Sequence, residues 1–280
     1  MRSVLHRLLH TRLVVVGMAV TLVVVLLALL APAIAPYSPT EMDPFNALLA
    51  PNKEHLFGTD AFGRDVLSRV IVGSRISLRI GVLVVLGTTA LGGAIGLITG
   101  YFPRLDNIIM RLVDATMALP TIVLALAIVS IFKPSEACVV VALVVVYTPR
   151  TARIVRGTAI AVRTQPYVEA SRAIGSSHLR ILYKDILPNC IATLIVQGSF
   201  VLAYAILAEA ALSFLGAGPP PPAPSWGNIM SEGRSLLRTA PWISTFPGFA
   251  IILTVLGINL LGDGLRDAAD PKTSGERFDA

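Results

Sequence analysis

The sequence contains repeated apolar runs that approach or exceed the length needed to cross a lipid bilayer. A transmembrane helix needs ~20 mostly apolar residues. Only 14% of this chain is charged, against about 25% in an ordinary soluble domain. We therefore predict an all-α membrane protein with six transmembrane helices. The predicted spans are 13–35, 78–101, 108–132, a fourth that begins near Ala137, 191–215 and 242–261.

The fourth span decides the topology. Its apolar stretch, 138–147, is short, and Pro149 follows it, so either the helix continues through Pro149 with a kink or this segment does not cross. The stretch 148–190 carries seven Lys or Arg and two Asp or Glu, and basic residues concentrate in cytoplasmic loops. We therefore predict that the fourth helix crosses and that both termini are cytoplasmic. The external segments are then 36–75, 133–136 and 216–241, and the cytoplasmic ones include 149–189 and 263–280.

The first apolar run has the flanks of a signal peptide, because Arg2, Arg7 and Arg12 precede it. Its length of about 18 residues exceeds the ~7–15 residues of a signal-peptide core, so we predict an uncleaved membrane helix. We divide the chain into three parts: an N-terminal helix with its external loop (1–75), the transmembrane domain (76–271) and a cytoplasmic tail (272–280).

Two external segments have patterns of their own. Polar residues at helical spacing before the second span predict a helix on the outer membrane surface, with a fully solvated helix as the alternative: Arg64, Ser68, Arg75 and Arg79. The segment 216–228 contains four consecutive prolines. We predict a stiff connector with Trp226 at the membrane interface rather than a ligand for an SH3 domain.

The sequence lacks the motifs of several enzyme classes. It contains no GxxxxGK[ST] phosphate-binding loop, no HExxH and no GxSxG, so we predict no catalytic site. The histidines all fall outside the predicted spans: His6, His10, His55 and His178. Cys138 and Cys190 belong to no Cys/His cluster, so we predict no metal site. The net charge of the chain is +6. Because membrane proteins concentrate Lys and Arg in cytoplasmic loops, we attribute this charge to those loops and expect no nucleic acid as a partner.

Ionisable residues in or near the spans are candidates for function, because charge inside a membrane is costly. Arg111 and Asp114 are three residues apart and are predicted to pair on one helix face. Glu209 lies within the fifth span. We predict that it faces the bundle interior or the translocation pathway; the alternative is a carboxyl hydrogen-bonded across helices. A stripe of small residues predicts close packing of the second span: Gly92, Gly96 and Gly100.

The strongest signal is the cytoplasmic segment 165–189, which predicts two short helices that meet at a sharp corner. Glu169 lies near the positive end of the first helix. Each boundary carries a residue type that favours it: Pro166 at the start of the first helix, Gly175 at its end, Ser176 or Ser177 at the start of the second, and Pro188 before the fifth span. Such an exposed knob can fit a cleft in a partner; the alternative is a solvated amphipathic loop.

This segment resembles the EAA loop of ABC importer membrane subunits, whose pattern is EAA, three residues, Gly, and further on I-x-L-P. Here Ser171 replaces the second Ala, and the Ile-Leu-Pro at 186–188 lacks the spacer. The resemblance implies a set of residues that couple the chain to an ATPase: Glu169, Ala170, Ser171, Arg172, Gly175, Ser176, Ile186, Leu187 and Pro188.

Further blocks are similar to the C-type permease subunit of dipeptide, oligopeptide and nickel transporters. They are HLFGTD at 55–60, GRDVLSR at 63–69, ALSFLG at 211–216, PSWG at 224–227, and NLLGDGLRD at 259–267 followed by Asp270 and Pro271. The resemblance implies the type I ABC importer permease fold in a bacterial inner membrane. The implied partners are a homologous B-type permease, two ABC ATPase subunits, an extracytoplasmic substrate-binding protein and membrane lipid. The chain itself is expected to bind no cofactor, because ATP and Mg are used by the ATPases.

The function implied is that of a permease subunit for di- or oligopeptides, which forms half of the translocation pathway and couples ATPase motion to alternating access. Nickel or another small solute is the alternative cargo. A standalone secondary transporter is the alternative from a different class, and it would carry its own coupling-ion site on broken helices. An intramembrane hydrolase is disfavoured because no histidine lies in a predicted span.

Overall fold

The computed structural model describes residues 12–269, and this part of the chain is helical without a β-strand. The helices are α1 (Arg12–Ile34), α2 (Val66–Tyr101), α3 (Pro103–Met117), α4 (Thr121–Ile131), α5 (Glu136–Arg163), α6 (Pro166–Ala173), α7 (His178–Ile181), α8 (Leu187–Phe214), α9 (Trp226–Gly233) and α10 (Trp242–Ala269). A π-helical turn, Leu182–Ile186, joins α7 to α8. The predicted all-helical fold is confirmed. The predicted tail, 272–280, lies outside the described residues.

Within residues 12–269, five segments are long and apolar enough to cross a membrane: Leu13–Ile34, Val66–Tyr101, Glu136–Arg163, His178–Phe214 and Trp242–Ala268. The pair α3 and α4 qualifies as a sixth span, but the two helices bend by 91° at the break between them. The third span, predicted as one helix over 108–132, is therefore a bent pair. Pro120 immediately precedes α4, and the residue before a proline is disfavoured in the helical conformation, which explains the break.

The second span begins earlier than predicted. Helix α2 is continuous over 36 residues from Val66, so its axis is about 54 Å long. It absorbs the segment predicted to lie on the membrane surface, and the boundary drawn between residues 75 and 76 falls inside it. The surface-helix prediction is wrong, because Arg64 is 4% exposed and Ser68 is fully buried. The carboxylate of Asp65 caps the helix by accepting a hydrogen bond from the Ser68 amide.

The fourth span continues through its proline, as the charge distribution predicts. Helix α5 begins after Ser135, whose hydroxyl accepts a hydrogen bond from the Cys138 amide, and it extends to Arg163. Arg150, assigned from the sequence to a cytoplasmic segment, therefore lies near the middle of a 28-residue helix.

Helix α2 packs against α5 along the predicted glycine stripe. A Cβ atom added at Gly96 would lie 2.6 Å from the carbonyl oxygen of Ala152, and one added at Gly100 would lie 2.5 Å from Cβ of Ala159. Only glycine allows the two backbones to approach so closely. The structure therefore confirms the packing role of this stripe.

Asp114 does not pair with Arg111 as predicted. Its carboxylate accepts a hydrogen bond of 2.5 Å from Arg153 on α5, and Arg156 donates to Asp106 one turn further along. These contacts attach α3 to α5, which a spacing rule within one helix does not reveal.

The loop between α1 and α2, predicted to be external, forms with α9 a cap that is closed by buried charges. Arg64 lies 2.6 Å from the carboxylate of Asp60 and 2.5 Å from that of Glu232 in α9. Arg69, which is 1% exposed, also contacts both carboxylates. Trp226, predicted at the membrane interface, is instead buried at 2% exposure and donates its indole N–H to the Val70 carbonyl at 2.9 Å. The prediction is wrong because the indole ring packs inside the cap and does not face the membrane.

Candidate functional site: the corner between α6 and α7

The predicted corner is present between α6 and α7. Pro166 occupies the first turn of α6, and Gly175 has a φ of 77° at the turn. Ser177 rather than Ser176 caps α7, because its hydroxyl accepts the hydrogen bond from the Arg180 amide. The structure therefore selects Ser177 from the two serines that the sequence offered as caps.

Backbone hydrogen bonds close the end of α6. The amide of Ser176 donates to the Ser171 carbonyl at 3.1 Å, and the amide of Gly175 donates to the Arg172 carbonyl at 3.0 Å. No atom lies within 4 Å of a Cβ added at Gly175. Glycine is therefore required here by its backbone conformation and not by lack of space.

The helix after the corner is not short, and Pro188 does not end it. Helix α7, the π-helical turn and α8 form one continuous helical segment, His178–Phe214. Pro188 lies in the first turn of α8, where the wider π turn accommodates its missing amide N–H. The predicted stop is wrong, and the correction matters because the corner continues directly into a membrane span.

The corner is also attached to the end of α2. The hydroxyl of Tyr101 lies 2.8 Å from Nδ1 of His178, and the guanidinium of Arg172 lies 5.0 Å from the centroid of the Tyr101 ring. Beneath these contacts is a small apolar core whose central members are fully buried: Val168, Ile181, Ile186 and Cys190. The knob is therefore held on the bundle by side chains from both of its arms.

The structure separates the predicted coupling residues into two groups. Glu169, Ala170, Arg172 and Gly175 are exposed at the corner, with Ser171 and Ser176 partly exposed beside them, whereas Pro188 is exposed on α8. Ile186 is fully buried in the apolar core beneath the corner, whereas Leu187 is partly exposed.

Sequence reasoning missed Ile174, which is 82% exposed next to Gly175. We call Glu169, Ala170, Ile174 and Gly175 the corner surface. The sequence signal that could have identified Ile174 is a large aliphatic side chain within a basic segment predicted to face water. Ile174 adds an apolar group to the otherwise polar turn at Gly175.

Glu209 lies elsewhere, on α8 within the bundle, and is fully buried. Its carboxyl accepts hydrogen bonds from the hydroxyls of Ser213 and Ser225 at 2.8 Å and of Ser77 at 3.1 Å. These donors come from α2, from α8 and from the residue before α9. The side chain thus joins three elements beneath the cap, and its predicted role in translocation stays a prediction.

Comparison with known proteins gives consistent results for most of the chain. Residues 92–275 match the family model described as "binding-protein-dependent transport system inner membrane component", and residues 1–51 match the "N-terminal TM domain of oligopeptide transport permease C". A putative peptide transport system permease protein of Brucella suis biovar 1 is 48% identical over 95% of this chain and 90% of its own length. The dipeptide transport system permease protein DppC of Escherichia coli K12 is 46% identical over 92% of this chain and 88% of its own.

Among solved structures, an inward-facing form of the MetNI methionine ABC transporter matches with a TM-score of 0.61. The match covers 71% of this chain and 96% of that one at 19% sequence identity. At this identity the similarity concerns the fold, and it agrees with the helical arrangement described above.

Proposed function

The chain belongs to the family of binding-protein-dependent transport system inner membrane components, and from this premise we propose that it is the membrane-spanning permease subunit of a peptide ABC importer. A protein of this family is a transport subunit of the inner membrane and not an enzyme, since ATP is hydrolysed by a separate subunit. Relatives at 42–48% identity that carry the names of peptide or dipeptide permeases support peptides as the cargo.

One observation carries the coupling role: an exposed rigid corner that is continuous with a membrane span. The corner surface lies at the turn between α6 and α7, and α7 continues through α8 to Phe214. Force applied to the corner by a docked ATPase is therefore transmitted into a membrane helix without an intervening loop. The contact between Tyr101 and His178 transmits the same force into α2.

The proposed assembly has four kinds of component. Two ABC ATPases, which use ATP and Mg, dock on the cytoplasmic corners, and one of them binds residues 166–188 of this chain. A homologous B-type permease completes the pathway, and an extracytoplasmic binding protein delivers the peptide. Support for these partners is the family membership together with the exposed face of Glu169, Ala170 and Ile174.

The test is reconstitution of the transporter with its ATPases and binding protein in proteoliposomes. Peptide uptake and ATPase stimulation are measured for the wild type and for Glu169→Lys, which puts a cation at the positive end of α6. We expect co-purification of the ATPases to weaken and uptake to fall steeply, while the binding protein still docks normally. Glu54→Lys makes the same charge change on an exposed residue of the external loop and serves as the matched control. Normal coupled uptake by Glu169→Lys would reduce the corner to a solvated connector.

Nickel or another small solute is the second candidate cargo. The same vesicles distinguish the two, because a nickel importer would accumulate the metal and leave dipeptides outside. A standalone transporter would accumulate substrate without any ATPase present.

A further inference from the structure

Arg150 is a cation near the middle of a membrane-spanning helix. Its side chain is exposed on the surface of this chain, and its guanidinium carbon lies 5.2 Å from the centroid of the Tyr204 ring on α8. Across residues 12–269, no carboxylate lies within 4.0 Å of it. Its neighbours along α5 differ, since Arg153 pairs with Asp114 and Arg156 with Asp106.

The position of Arg150 disfavours a lipid environment. Helix α5 has 28 residues and is therefore about 42 Å long, against a hydrocarbon thickness of ~30 Å. Arg150 lies about 21 Å along the axis from the start of the helix at Glu136, which is within the length of a span, and an unpaired guanidinium among acyl chains is very costly. This face of the chain must therefore border either water or a polar partner.

Two cavities meet at this residue. One, of about 500 Å³, is lined by Arg150, Asn189, Thr193, Gln197 and Arg266, and the other, of about 450 Å³, is lined by Arg150 with Tyr147 and Thr121. Both volumes are within the ~300–1,000 Å³ typical of small-ligand sites. The first cavity lies between α5, α8 and α10, so residues of three different helices line it.

A second, independent feature marks the first cavity as a binding site. Gln197 is only 5% exposed and lines this cavity, and its amide forms no hydrogen bond with another residue in the part of the chain that the structure describes. The amide faces the cavity without a protein partner, so a polar molecule in the cavity would find both a donor and an acceptor there. Arg150 lines the same cavity. Beside it, the Tyr147 hydroxyl donates a hydrogen bond to the Tyr204 carbonyl at 3.2 Å, which holds the two aromatic side chains together.

We propose that Arg150 binds the C-terminal carboxylate of a peptide as it crosses the membrane, with Gln197 hydrogen-bonding the adjacent peptide group. This inference rests on the proposed function and adds to it a specificity-determining residue on the pathway. A carboxylate fits because guanidinium binds it with two parallel hydrogen bonds. The ring of Tyr204 covers one face of the guanidinium and leaves its N–H edge available for the carboxylate.

The test compares two substrates in the reconstituted transporter: a dipeptide with a free carboxylate and the same dipeptide as its C-terminal amide. For each substrate, uptake by Arg150→Gln is divided by uptake by the wild type, so that the preference of the binding protein cancels. We expect this ratio to fall about ten-fold for the free dipeptide, which corresponds to one lost charged hydrogen bond, and to change little for the amide. Arg150→Lys should recover much of the loss, and Arg153→Gln, whose charge Asp114 already neutralises, should not discriminate between the substrates.

A second measurement does not depend on delivery of the amide. A dipeptide with a photoreactive group beside its carboxylate is irradiated with the complete transporter, and labelled residues are mapped. Labelling of Tyr147 or Tyr204 in the wild type and its loss in Arg150→Gln supports the proposal. An equal fall for both dipeptides, or labelling that survives in Arg150→Gln, overturns it and leaves Arg150 as an ion-pair partner of the other permease. A wild type that transports no peptide would instead refute the proposed function.

Discussion

Tyr101 and His178 join the last residue of α2 to the first residue of α7, with the hydroxyl and Nδ1 2.8 Å apart. The two residues are 77 positions apart in the sequence, so this hydrogen bond links a span to the corner that follows another span. It is a direct polar contact between the start of α7 and the end of α2.

Replacing Tyr101 with Phe should weaken coupling without preventing assembly. The ring stays in place and only the hydroxyl is lost, so we expect a stability loss of about 1 kcal/mol. ATPase activity in the assembled transporter should be largely retained, whereas peptide transported per ATP hydrolysed should fall. The measurement is the ratio of uptake to ATP hydrolysis in proteoliposomes. An unchanged ratio would mean that the contact between Tyr101 and His178 does not transmit motion.

Gly175→Val should disturb the corner through the backbone alone. A β-branched residue at a φ of 77° costs on the order of 1–2 kcal/mol, and since no atom crowds the site, the strain should tilt the knob rather than unfold the bundle. Uptake should fall while membrane insertion and binding-protein docking remain normal.

Gly157 provides the control for that variant. It lies in helix α5, and an added Cβ would also meet no atom within 4 Å, but it has no left-handed conformation. Gly157→Ala should therefore be neutral or stabilising by ~0.5–1 kcal/mol. Equal uptake by Gly175→Val and Gly157→Ala would contradict the requirement for left-handed backbone at the corner.

Glu209→Ala should destabilise the bundle, because it leaves three buried hydroxyls without their acceptor. We expect a loss on the order of 3 kcal/mol, measured as thermal unfolding in detergent. Ser213→Ala removes one donor from the same cluster and should cost about 1 kcal/mol. If Glu209→Gln keeps the wild-type stability but abolishes uptake, then Glu209 acts on the pathway rather than in joining the helices.

The predicted topology can be tested by cysteine labelling in intact cells with Cys138 and Cys190 replaced. Phe45 is 99% exposed on the external loop, so Phe45→Cys should react with an impermeant reagent. Ser177→Cys, at the cytoplasmic corner, should react only after the membrane is permeabilised. Ser225 is not a suitable external site, since it is fully buried and hydrogen-bonded to Glu209. The reverse labelling pattern would invalidate the assignment of both termini to the cytoplasm.

The sequence by itself determined the helical membrane fold and the corner, because both depend on local chemistry. Apolar length fixes which segments can cross a bilayer. Pro166, Gly175 and Ser177 act on backbone within a few residues of themselves, so their effects can be predicted from spacing. The fourth span was predicted correctly because the positive charges that follow it report on topology.

Tertiary structure decided the features that depend on residues distant in sequence. Trp226 is typical of a membrane interface, but its N–H is hydrogen-bonded to Val70 156 positions away. Asp114 has Arg111 within helical reach, but Arg153 of another helix is better placed. Arg150 was counted among cytoplasmic charges, but it lies near the middle of the continuous membrane-spanning helix α5. In each case the partner lies on another element, and local spacing carries no information about which elements pack together.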